Sequence, residues 1–223
     1  GADIQIRKND NKKIIIINGK KELDPKDISV PSDLSSSAFF IVAALINPNS
    51  KLELKNININ PTRDGILKAL KLMNAKIDIT NQRKVNEELV ADLTIQSSHL
   101  EGCDLDHNMA KLMIDEFPIL SIAASFAKTP STFRGLGELK VKESDRLELI
   151  RLNLIKCGIN CTVKDESLTI NPNNKSKVID NKIRTDFDHR IAMSFAVLGT
   201  RLDTNLEILD SKSIDTSFPN FIE

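Results

Sequence analysis

Lys142, Glu143 and Arg146 lie within one turn of chain, inside Lys140-Val141-Lys142-Glu143-Ser144-Asp145-Arg146-Leu147. Side chains at such spacings can converge on a helix surface. Two cations and a carboxyl group together can grip a small anion and move a proton. Arg146 sits where a helix should begin, an end that favours anions, so an anionic ligand there would compensate for it. The plain alternative is that Asp145 or Glu143 pairs with Arg146 on a wet surface. Asp115-Glu116 and Asp188-His189-Arg190 are charged in the same way at other helix starts. Asp115 and Glu143 offer proton acceptors or donors, and Arg146 and Arg190 suit a phosphate or carboxylate.

Behind these residues the chain must supply scaffolding. Leu147, Ile150 and Leu154 recur at three and four, a buried helical stripe that follows a strand and stops at Gly158. The same order, β-α-β-α-β-β, repeats in units of roughly 65 to 70 residues. A hairpin carries Ile4, Ile6 and Ile14–Ile17, closed by Gly19 and Pro25. The first whole unit has a strand at Ile28–Pro31, a helix at Ser35–Leu45 and a strand at Lys51–Lys55. A helix at Thr62–Met73 and strands at Lys76–Thr80 and Asp92–Gln96 complete it. The second has a helix at Asp115–Ala127, a strand at Ser131–Arg134 and a helix at Ser144–Lys156. Its strands lie at Asn160–Val163 and Ser167–Ile170. The third has a strand at Ile183–Thr185, a helix at Asp188–Gly199 and a strand at Asn205–Leu209. Phe218–Glu223 reads as the start of a further helix. If the units stack side by side, the helix N-termini share one face. Ser35, Ser36, Ser37, Thr62, Asp64 and Asp188 read as caps there, Arg63 as a surface residue and His189 as a packed imidazole. A chain interrupted within a repeat at both ends reads as a piece of a larger protein.

Composition narrows the function. The 223 residues are 40% apolar, enough for a core, and carry 31 basic and 31 acidic groups. Neutral charge with no Trp or Tyr argues against a nucleic-acid partner. Apolar runs such as Ala38–Ile46 are too short to span a bilayer, and no signal peptide is visible. Cys103, Cys157 and Cys161 have no metal-ligand spacing, and Cys157 and Cys161 read as packing residues. A cytoplasmic protein without metal or cofactor is expected.

Five segments carry a resemblance. They are Val30-Pro31-Ser32-Asp33-Leu34-Ser35-Ser36-Ser37-Ala38-Phe39-Phe40, Asn60-Pro61-Thr62-Arg63, Asp115-Glu116-Phe117-Pro118-Ile119-Leu120, Val141-Lys142-Glu143-Ser144-Asp145-Arg146 and Asp188-His189-Arg190-Ile191-Ala192-Met193. In this order, and with Ser217-Phe218-Pro219, the chain resembles the carboxy-terminal half of the 5-enolpyruvylshikimate-3-phosphate synthase family. The resemblance implies an α/β (α+β) lobe of β-α-β-α-β-β units with helix N-termini facing an active-site cleft. Residues 1–30 resemble the terminal hairpin of the preceding first lobe, and 31–223 the second lobe, incomplete. A strand that the family sends into this lobe is missing, which would expose a sheet edge and favour self-association.

The resemblance further implies transfer of the enolpyruvyl group of phosphoenolpyruvate to the 5-hydroxyl of shikimate 3-phosphate. Asp115 would contact shikimate 3-phosphate and accept the hydroxyl proton. Glu143 would handle protonation at the methylene, Lys142 would bind substrate, and Arg146 and Arg190 would hold the phosphoenolpyruvate anion. The family's amino-terminal phosphate site has no counterpart here, so the chain alone is expected to be inactive and to need a separate amino-terminal lobe. Thr216 stands where some members place a lysine, and neither it nor Lys212 is assigned a role. The competing readings are a non-catalytic remnant, the sister transferase acting on UDP-N-acetylglucosamine, and an RNA-modifying relative with the same repeat.

Overall fold

The computed structural model describes residues 2–10, 12–20, 22–172 and 177–223. The chain divides into Gly1–Val30 and Pro31–Glu223. The first unit is an antiparallel hairpin of β1 (Asp3–Asn9) and β2 (Lys12–Asn18), pairing Ile4 with Ile17 and Ile6 with Ile15. Side chains alternate across a strand, so these four isoleucines share one face, each more than half exposed.

In the second unit α1 (Leu34–Ile46), β3 (Lys51–Asn58), α2 (Gly65–Leu72), β4 (Lys76–Val85) and β5 (Glu88–Gln96) come first. Next are β6 (Asp104–Leu105), α3 (His107–Met113), α4 (Phe117–Ser125), β7 (Ser131–Phe133), α5 (Arg146–Lys156), β8 (Asn160–Lys164) and β9 (Ser167–Asn171). Last are β10 (Lys182–Ile183), α6 (His189–Gly199) and β11 (Glu207–Ile208). The repeat is visible in the sheets. One runs β6-β7-β9-β8, with β6 parallel to β7 and the other pairs antiparallel. Another runs β3-β5-β4, and a parallel bridge from Ser32 to Ile57 stands where β6 stands in its counterpart. The third sheet pairs β10 with β11 in parallel.

Helix burial follows composition. Neither α1 nor α4 carries a charged residue, and all nine residues of α4 are buried. A helix that is apolar all round belongs in a core, and α1, α4 and α6 pack on one another there. In α5 only one side is apolar, and Leu147, Ile150 and Leu154 are buried along it. Both α2 and α5 end in a left-handed residue, Asn74 (φ 62°) and Gly158 (φ 76°). In each case the next amide reaches back five residues, Ala75 to Leu70 and Ile159 to Leu154, at 3.0 and 2.9 Å. These bonds satisfy helix-end carbonyls and aim the chain into the following strand. A Cβ on Gly158 would stand 2.2 Å from the Lys177 carbonyl oxygen. Gly158→Ala is therefore expected to cost about 1–3 kcal/mol, read as a lower urea midpoint by far-UV circular dichroism.

Several expectations are corrected. Ile28–Pro31 is not a strand: Pro31 has no amide hydrogen for a ladder, and only Ser32 bridges. The segment before Lys142 is a 3-10 helix, Gly137–Val141, not a strand, and α5 begins at Arg146 rather than Ser144. The expected helix from Thr62 starts at Gly65, because the Asn60 side chain holds Thr62 in a turn. The helix expected from Asp115 is preceded by a 3-10 turn, Ile114–Glu116, with Pro118 near the start of α4. The sequence reading did not foresee β6 or α3. Phe218–Glu223 forms no helix; Phe218 and Phe221 instead pack on Phe40, with ring centroids 5.7 and 5.5 Å away. The cap of α1 is Asp33, which accepts from the Ser36 amide at 2.8 Å, so neither Ser35 nor Ser37 plays that part. Asp64 makes no cap bond and pairs with Lys68 at 2.6 Å. Cys157 and Cys161 are packing residues, and burial pushes their thiols up to about 12 and about 11.

Candidate active site

Arg146 is the largest fully buried side chain among the described residues, with 1% of its surface exposed. A lone guanidinium could not be buried at that depth, because its desolvation would go uncompensated. Three carboxylates from three parts of the chain compensate for it. Nε donates to Asp188 Oδ2 at 2.8 Å, Nη1 to Asp115 Oδ1 at 2.9 Å and Nη2 to Glu143 Oε2 at 2.5 Å. Asp188 is fully buried and also caps α6, accepting from the amides of Arg190 and Ile191. Ser144 donates its hydroxyl to Asp188 at 2.9 Å. Asp145 caps α5 through the Glu148 amide and is not Arg146's partner. The cation in the first turn of α5 is thus answered by acidic groups from its own approach loop, the turn before α4 and the start of α6.

Lys142 and Arg190 extend this network. Lys142 Nζ lies 2.7 Å from Glu138 Oε1 and 3.4 Å from Asp115 Oδ1. The bond to Glu138 chiefly holds the ammonium above its ordinary range, against burial and with help from Asp115. Burial pushes the Asp115 carboxyl up, but Arg190, Lys142 and Arg146 together outweigh it and hold it below the usual aspartate range. Asp188 behaves alike: burial raises its carboxyl, and the bond from Arg146, the Arg146 charge and the Ser144 hydroxyl lower it further. The His189 imidazole is half-buried, and burial, then Arg190, lower it from its ordinary value. Arg190 Nη1 donates to the Asp115 main-chain oxygen at 3.1 Å. Its Nε and Nη2 have no partner among the described residues, whereas every nitrogen of the Arg146 guanidinium is engaged.

The network continues through residues that spacing alone did not single out. Glu116 is 5% exposed and accepts a short hydrogen bond from the Ser35 hydroxyl. Arg63 donates from Nη2 to that same hydroxyl at 3.0 Å, so it is tied to this cluster rather than being a plain surface residue. Arg190 Nη1 lies 3.7 Å from Glu116 Oε1. The starts of α1, α4, α5 and α6 and the turn before α2 therefore meet on one face. All the sequence-derived candidates, Asp115, Lys142, Glu143, Arg146 and Arg190, lie in the network. The signal for Glu116 was its place between Asp115 and a fully apolar helix, where a side chain has little route to solvent. An open cavity of about 870 Å³ lies elsewhere, at the far ends of α1, α4 and α6, and none of these candidates lines it. Among the described residues no His, Cys, Asp and Glu side chains are grouped to hold a metal ion, and no helix is long and apolar enough to cross a membrane.

Repeated β-α-β-α-β-β units with cationic side chains gathered at shared helix starts define an α/β lobe of the enolpyruvyl-transferase type. The structure of the enolpyruvyl transferase NikO from Streptomyces tendae shares this fold, with a TM-score of 0.71 at 16% identity over 98% of this chain and 48% of that one. The family model for EPSP synthase (3-phosphoshikimate 1-carboxyvinyltransferase) matches residues 1–223, and the chain belongs to that family. A 3-phosphoshikimate 1-carboxyvinyltransferase from Zymomonas mobilis is 44% identical over 99% of this chain and 50% of its own length. The EPSP synthase structure from Acinetobacter baumannii superposes with a TM-score of 0.87 at 38% identity, covering 96% of this chain and 49% of that one. The chain thus spans about half the length of the relatives it matches.

Proposed function

We propose that residues 31–223 form one wall of a site that transfers the enolpyruvyl group of phosphoenolpyruvate to the 5-hydroxyl of shikimate 3-phosphate. Residues 1–30 are then the terminal hairpin of the preceding lobe. The observation that carries this reading is the convergence of Asp115, Lys142, Glu143 and Arg146 in one network, in a chain belonging to this family. Asp115 accepts the hydroxyl proton as the substrate oxygen bonds to the enolpyruvyl carbon, and Glu143 delivers a proton to the methylene. The tetrahedral adduct then loses phosphate and returns a methyl proton to a base. Arg190, with two nitrogens unengaged among the described residues, and Arg146 hold the anionic donor, while Lys142 binds the acceptor. Substrate anions neutralising these cations would let the Asp115 carboxyl rise towards a useful basicity. No nucleic acid or membrane partner and no cofactor enters this reading, and its setting is the cytoplasm.

The remaining half of the relatives' length is needed for the other wall, because losing positioning groups alone costs many powers of ten in rate. Phosphate release from phosphoenolpyruvate and shikimate 3-phosphate tests this, with the chain alone and mixed with the separately expressed amino-terminal half of the Zymomonas mobilis relative. Turnover is expected in the mixture only. Turnover by the chain alone would remove the need for a second lobe. Silence in both, from folded samples, would leave a remnant without catalytic use.

A further inference from the structure

Glu116 is a buried carboxyl group to which the proposed reaction gives no task. It lies where the repeated units meet, between Ser35 at the start of α1 and Arg190 at the start of α6. Burial pushes it above the ordinary glutamate range, and only the Ser35 hydroxyl and the Arg190 and Arg63 charges oppose that. Keeping an ionisable group at such a depth is costly unless it is paired and hydrogen-bonded.

We propose that Glu116 is a positioning residue for Arg190, fixing its guanidinium so that Nε and Nη2 stay presented to an anion. The geometry is that of an anchored fork. Arg190 Nη1 donates to the Asp115 main-chain oxygen at 3.1 Å and sits 3.7 Å from Glu116 Oε1, so one corner of the guanidinium is held from two sides. The carboxylate is itself fixed: the same Oε1 accepts from Ser35 Oγ, which in turn accepts from Arg63 Nη2 at 3.0 Å. Ser35 is 5% exposed and Arg190's side chain 16%. The two remaining nitrogens, without a partner among the described residues, are then oriented, and a fork held in advance loses less entropy on gripping an anion. A hydrogen bond from Ser35 in α1 to Glu116 in the turn before α4, and an ion pair from there to α6, thereby link the first two units to the arginine of the third.

This role rests on the reading of Arg190 as the anion-binding residue, and the two can be separated by experiment. The first readout is the order of the Arg190 Nε–Hε group in the whole chain, by ¹⁵N relaxation, assigned by its loss in Arg190→Lys. The second is the affinity for phosphoenolpyruvate, by calorimetry, of the chain mixed with the amino-terminal half of the Zymomonas mobilis relative. Glu116→Gln keeps the volume and removes the charge. It is expected to raise the mobility of the Arg190 guanidinium, which keeps only its bond to the Asp115 main-chain oxygen, and to weaken phosphoenolpyruvate about tenfold, as loss of a charge-assisted contact would. Ser35→Ala spares the carboxylate but frees it, and should give a smaller change in the same direction. If Glu116→Gln does not fold, Ser35→Ala carries the test alone. Unchanged Arg190 order in the folded variants would overturn the proposal. So would a lower unfolding midpoint with Arg190 order and affinity unaltered, since that marks a merely structural residue. Loosened Arg190 with no phosphoenolpyruvate binding even in the parent mixture would uphold the positioning role and remove the functional reading instead.

Discussion

Asp188→Asn is expected to lower the stability of the lobe by about 3–5 kcal/mol, the usual cost of breaking a buried ion pair from one side. The side chain has no exposed surface and accepts from Arg146 Nε, from Ser144 Oγ and from the amides that open α6. Asparagine can still cap the helix through its carbonyl oxygen. With that oxygen turned to the α6 amides, its amide nitrogen would face both Arg146 Nε and Ser144 Oγ, which share one oxygen of Asp188, leaving a buried guanidinium short of an acceptor and a counter-charge. Urea unfolding followed by far-UV circular dichroism reads the difference, since no Trp or Tyr is present to report by fluorescence. The pH dependence has a definite sign. The Asp188 carboxyl is lowered in the folded state, so its contribution is full above the ordinary aspartate value of 3.8 and is lost as pH falls through the lower folded value. The gap between parent and variant should be constant above pH 3.8 and close in stronger acid. A gap that narrows on the neutral side instead would mean that Arg146 draws its main support from elsewhere.

That prediction could not have been written from the sequence, although much around it could. Periodicity and turn residues expose the repeat. The apolar α1 and α4, the striped α5 and the stops at Asn74 and Gly158 are local features, and local patterns are what a sequence shows directly. The elements that escaped are short. Only two residues form β6, and α3 spans seven residues with two buried, too few for a period to stand out. Partner choice at the site is not local at all. Glu143 and Arg146 are three residues apart and could be paired by spacing. Asp115 and Asp188 lie 31 and 42 residues from Arg146, and only the stacking of units brings them in. Ser35 shows the same limit from the other side. Beside Asp33 and two more serines it reads as a cap, but one cap suffices, and Asp33 takes the amide. Ser35 is thereby released to meet Glu116, 81 residues away.

Glu143→Gln is expected to reduce turnover by about 10²–10⁴-fold, the range for loss of a positioned acid or base. This applies to a system in which the lobe is completed and phosphate is released. The same change should leave stability close to that of the parent, and the contrast with Asp188 is the point of the experiment. Both carboxylates touch one guanidinium, Asp188 at Nε and Glu143 at Nη2. They differ in where they sit. Glu143 comes from the loop before α5 with 51% of its side chain in solvent, and Asp188 is wholly enclosed. Water can replace Glu143 at little cost, and Arg146 keeps Asp188 and Asp115 when it goes. On the proposed reading an incoming anion takes Nη2 and the released carboxyl group turns to the substrate, an exchange open to a half-exposed acid on a buried cation. If Glu143→Gln unfolds the lobe as Asp188→Asn does, Glu143 belongs to the scaffold. If it folds normally and turnover is undiminished, proton delivery to the methylene falls to another group. Only a stable variant with turnover lost places Glu143 at the reacting atoms while Asp188 acts from behind, through Arg146.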